Sequence, residues 1–127
     1  MTKDQVRALE KNTVEFSEEV TEGCLEANIT GRKIDLLFEE NILQRISTDN
    51  PIFRTAKNVG VGSTEAEVKA AYGRALTIVP HTYDEDGHYL KVIDKTGFGF
   101  MFETNGVQVT SMHVGKSPAL EYVEGCL

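Results

Sequence analysis

Between Asp94-Lys95-Thr96-Gly97 and Thr104-Asn105-Gly106 the chain places Phe98, Phe100 and Phe102 at every second position. A period of two sets all three rings on one face of a strand, whereas a helix would scatter them around its axis. Both flanks are turns, since Gly accepts the left-handed backbone of a tight turn and Asn-Gly is a strong hairpin signal. His88 to Ile93 on one side and Val107 to Val114 on the other are read as further strands. The segment therefore settles as an antiparallel meander with one buried face. The first half carries the same kind of writing. Cys24 to Ile29 leads to a turn at Thr30-Gly31-Arg32-Lys33, Ile34, Leu36 and Phe38 share a face, and Glu40-Asn41 turns the chain into Ile42 to Ser47.

Each meander follows a helix start of one design. Thr2 or Thr64 is placed as N-cap, with Gln5 or Glu67 three residues on, the spacing of a capping box. Apolar positions follow at helical spacing, Val6 and Leu9 in one copy and Val68, Ala71 and Tyr72 in the other, with Gly73 placed to end the second helix. The expected fold is thus α+β: a tandem repeat of helix plus antiparallel β-meander, with the helices packed on one face of the sheet. One domain over 1–127 then divides into repeats of about 1–58 and 59–127. Gly60-Val61-Gly62-Ser63 lacks the Lys of a phosphate loop and the dinucleotide fingerprint, and reads as a tight turn feeding a capped helix.

Composition limits the partners. With 13 basic against 20 acidic residues the net charge is −7, and the basic residues are scattered, which argues against nucleic acid. No apolar run approaches the roughly 20 residues that span a bilayer. An acidic surface favours basic partners.

Two cysteines occur, in Glu22-Gly23-Cys24-Leu25 and Glu124-Gly125-Cys126-Leu127. No Cys-x-x-Cys is present, so neither a redox dithiol motif nor a zinc knuckle is indicated. A Cys24–Cys126 disulfide would tie the C-terminal tail to the first repeat, and the bland alternative is two unpaired small hydrophobes. The bridge would place the protein in an oxidising compartment: periplasm, cell envelope or medium. Met1-Thr2-Lys3-Asp4-Gln5 is no signal peptide, so the export signal is expected in a longer precursor, where a lipid anchor is also possible.

Gly60 to Val68, Ala71-Tyr72-Gly73, Pro80-His81-Thr82-Tyr83, Gly87-His88-Tyr89-Leu90, Phe102-Glu103-Thr104 and the ending Tyr122-Val123-Glu124-Gly125-Cys126 fit one pattern. It resembles the second half of a group of uncharacterised bacterial exported proteins and lipoproteins, which implies export and the disulfide. The start Met1 to Val6 is similar to the opening of small outer-membrane assembly lipoproteins. The helix-plus-meander tandem resembles the secreted β-lactamase inhibitory proteins. Both resemblances imply a non-enzyme that offers a sheet face or edge to another protein.

The most polar constellation is His81-Thr82-Tyr83-Asp84-Glu85-Asp86-Gly87-His88. His81, Asp84, Asp86 and His88 are the candidate metal ligands, for a metal-binding protein or metal-dependent enzyme. Against this, Asp and Gly also serve turn geometry, and a solvated loop explains them equally. For nucleophilic catalysis, Cys24 with His88 or His113 is conceivable, but a disulfide removes the thiol. Ser111 and His113 share a strand face without an evident acidic partner. Paired carboxylates such as Glu18-Glu19, Glu39-Glu40 and Glu65/Glu67 fit helix starts and solvated faces. The expected function is accordingly a non-catalytic exported protein-binding module without a cofactor. Its candidate binding surface is Tyr83, Tyr89, Met112 and His113, aromatic and Met groups being common interface anchors, although Tyr89 and Met112 fit the core equally well.

Overall fold

The structure, a computed structural model, describes residues 1–10, 14–16 and 23–126. The side chain of Leu9 and the pair Glu18-Glu19 lie outside the described residues. The elements run α1 (Lys3–Glu10), β1 (Val14–Phe16), β2 (Cys24–Ile29), β3 (Ile34–Glu39), β4 (Ile42–Thr48), α2 (Glu65–Tyr72), β5 (Thr77–Pro80), β6 (His88–Ile93), β7 (Phe98–Thr104) and β8 (Val109–Lys116). All eight strands join one sheet of order β1-β2-β3-β4-β8-β7-β6-β5, every pair antiparallel.

This overturns the expected α+β tandem repeat. The protein is largely β, and each α-helix is only eight residues long. Similar helix starts point to two separate units, but the last strand of each meander still needs a hydrogen-bonding partner along its outer edge. Those strands, β4 and β8, hydrogen-bond to each other from Arg45↔Gly115 to Thr48↔Met112. Pairing satisfies two rows of backbone groups that would otherwise be open edges, and it fuses the strands into one sheet.

Alternation along the strands gives the sheet two different faces. On one, Val6 of α1 packs with Leu25, Ala27, Leu36 and Phe38, and Val68 of α2 with Leu90, Phe102, Val109 and Met112. Phe38 and Phe102 have no exposed surface, and burying each such ring stabilises the fold by about 2–3 kcal/mol. Phe100 packs at the edge of the second cluster, while Phe98 at the strand end is exposed. The opposite face carries Asn28, Asp35, Arg45, Ser47, Glu103 and His113, as the strand registers require. The C-terminal segment crosses this polar face, seating Leu120 against Tyr89 and Met101, and Ala119 against Leu37 and the cysteines.

Both helix starts carry reciprocal caps. Gln5 N–H donates to Thr2 Oγ1 at 3.2 Å and Thr2 N–H to Gln5 Oε1 at 2.9 Å. Glu67 N–H and Thr64 N–H make the corresponding pair in α2, each at 3.1 Å. Each box satisfies two amide donors that a helix start leaves orphaned. Thr64→Ala should lower the unfolding free energy by about 1 kcal/mol, read as a lower urea midpoint at unchanged slope.

Candidate functional site

The polar face owes its chemistry to cross-strand neighbours. Ser47 of β4 lies opposite His113 of β8, and Ser47 Oγ is 2.6 Å from His113 Nδ1. The other ring nitrogen, His113 Nε2, is 2.5 Å from Glu103 Oε2 on β7. Glu103 Oε1 is in turn 2.9 Å from Nε2 of His81, the residue that follows β5. His81 Nδ1 accepts the backbone N–H of Tyr83 and Asp84 at 3.0 and 3.1 Å. That assigns the hydrogen of a neutral His81 to Nε2, directed at Glu103. The His81 ring also stacks on Tyr89, with centroids 4.5 Å apart.

Glu103 is therefore held by two imidazoles. Burial pushes its carboxyl up, but hydrogen bonds and charge from His113 and His81 outweigh that and bring it from 4.5 down to about 2. The third histidine forms a separate site on the helix face. His88 Nδ1 is 2.7 Å from Glu65 Oε2, which also accepts the Thr104 hydroxyl. Burial raises the Glu65 carboxyl, and these bonds together draw it below its ordinary value.

A cavity of about 630 Å³ opens over the polar face beside Ser47 and His113. Among the described residues, Glu15, Glu26, Asp35 and Asp49 contribute carboxylates to its lining and Arg45 the single Lys or Arg. Arg45 is turned to structure: its Nη1 donates to the carbonyls of Tyr122 at 2.7 Å and Ala119 at 3.3 Å. It thereby holds down the tail that the Cys24–Cys126 disulfide ties to β2, with Cα atoms 5.7 Å apart. The Tyr122 hydroxyl adds a bond to Glu39 Oε2 at 3.0 Å.

Of the expected surface residues, only His113 lines the cavity. Tyr83 is exposed, but Tyr89 and Met112 are buried on opposite faces of the sheet, Met112 because it lies opposite Phe102 on the helix face. The four do not form one surface. The expected metal ligands also separate. His81 turns to Glu103 and His88 to Glu65, while Asp84 Oδ1 accepts the Asp86 N–H at 3.0 Å within the turn. Among the described residues, no group of three or more His, Cys, Asp or Glu is placed to hold a metal ion. Cys24 is bonded to Cys126 and carries no free thiol.

Sequence reasoning missed Ser47 and Glu103. Glu103 had a signal: the Asn105-Gly106 hairpin places it opposite Ser111, one strand over and diagonal to His113. Ser47 had none, because β4 and β8 are 60-odd residues apart in the chain and only their pairing brings it to His113. Among the described residues no helix is long and apolar enough to cross a membrane. No protein-family model, no curated protein and no solved structure matches the chain.

Proposed function

We propose that this chain is an exported binding module that receives a basic segment of another protein on the polar face of its sheet. The observation that carries the reading is the cavity beside Ser47 and His113, in which, among the described residues, four carboxylate side chains meet one arginine already engaged by the tail. Carboxylates gathered at a concave surface set up a field that attracts cations and speeds their approach. The excess of acidic over basic residues in the whole chain acts in the same direction. Export is supported by the disulfide, since such bonds persist in oxidising compartments.

Calorimetric titration with acetyl-tetraarginine amide tests the reading, with the tetraglutamate and tetraserine peptides as controls. The arginine peptide should bind at one site and weaken about tenfold or more between 50 and 500 mM salt, as screening shortens the reach of surface charge. Glu26→Gln combined with Asp35→Asn should weaken it further. Equal heats from all three peptides would contradict the reading.

A further inference from the structure

Beyond contact, we propose that Ser47 is an activated nucleophile on the polar face, poised by His113 and Glu103 to attack the carbonyl of an ester. The chain of contacts fixes the direction of each hydrogen. An ionised Glu103 can only accept, so the 2.5 Å contact requires the hydrogen on His113 Nε2. In the neutral imidazole Nδ1 then keeps a lone pair, and the Ser47 hydroxyl at 2.6 Å donates to it. A hydroxyl pointed at a base whose far side is oriented by a carboxylate is the arrangement nucleophilic catalysis needs. Two further features hold it. His113 is only 7% exposed, and Glu103 is fixed from its second oxygen by His81, itself locked by two backbone amides. Ser47 lines the open cavity, so a substrate can reach it, and the carboxylates there favour esters carrying a positive charge.

The step balances within these groups. Ser47 Oγ bonds to the ester carbonyl carbon while its proton passes to His113 Nδ1. The bond from that carbon to the alkoxy oxygen breaks, and the alcohol leaves with the proton from His113. Water then attacks the acyl-serine, giving one proton to His113 Nδ1, which returns it to Ser47 Oγ as the carboxylic acid departs. The reactive serine stands apart from the basic-segment reading: peptide titration reports occupancy of the cavity, and covalent labelling reports the nucleophile.

The test is to incubate the intact, disulfide-bonded chain with diisopropyl fluorophosphate, which transfers its phosphoryl group to a serine oxygen with loss of hydrogen fluoride. Intact mass and peptide mapping should show one adduct, on Ser47, absent in Ser47→Ala and unchanged in rate in Ser117→Ala, whose serine lies outside the cavity lining. His113→Gln should slow labelling about 100-fold, the usual contribution of a positioned base. Should that variant fail to fold, the unmodified chain decides, with Ser47 labelled far faster in the folded chain than in urea-unfolded chain and faster than any other serine. Cleavage of acetylthiocholine should exceed that of neutral ethyl thioacetate. No Ser47 adduct, or labelling no faster than in urea-unfolded chain, would overturn the nucleophile. Equal cleavage of the two thioesters would overturn the charge preference.

Discussion

Replacing both cysteines, Cys24→Ala with Cys126→Ala, should lower the unfolding free energy by about 4–5 kcal/mol. The bond joins residues 102 apart in sequence, and in the chain-entropy description a cross-link closing a loop of that size removes about 4.7 kcal/mol of freedom from the unfolded chain. Its loss also frees the tail to fray. Ala119 and Leu120 are buried only because the tail lies across the sheet, and Arg45 would lose the carbonyls of Ala119 and Tyr122. Urea unfolding of the oxidised chain and of the double variant measures the difference. A change under about 1 kcal/mol would mean that packing alone fixes the tail.

The second large effect belongs to Glu103. Its folded carboxyl titrates at about 2 against an ordinary 4.5, held down by His113 and His81 despite burial. A depressed carboxyl stabilises the fold above its unfolded value, and that stability drains away as pH falls from about 4.5 towards 2. The side chain is 26% exposed, so after discounting for solvent screening the contribution at neutral pH is about 2 kcal/mol. Glu103→Ala also leaves two imidazole N–H groups without their acceptor, and the total cost at pH 7 should be about 3 kcal/mol. The gap between native chain and variant should then narrow steadily below pH 4.5, followed by urea midpoints across the acid range. A gap independent of pH would show that Glu103 acts through packing and not through its charge.

What could be read from the sequence was local. The two capping boxes, the Asn-Gly hairpin and the shared faces of Ile34, Leu36 and Phe38 each depend on residues within a few positions of one another, and all are present. The cysteine pair was legible because a tail with one cysteine has few partners. The global arrangement was not local. Similar helix starts suggested two α+β units, but strand pairing outside either unit, β4 with β8, decided the fold and made one sheet. The same pairing decides the site. His113 looked partnerless in sequence because Ser47 reaches it only across that seam, and Glu103 only across the β7–β8 hairpin. Tyr89 and Met112 look like interface anchors by residue type, yet one lies beneath Leu120 and the other inside the helix-face core. Residue type carries no information about which face a strand position occupies until the register is set.

A basic partner received on the polar face, as proposed, should perturb the backbone amides of that face first. Amide chemical-shift mapping during titration with acetyl-tetraarginine amide tests it most directly. The shifts should gather on Asn28, Asp35, Ser47, Ser111 and His113, around the cavity. Shifts confined to the helix face, around Ile46 and Val114 or on α2, would contradict it.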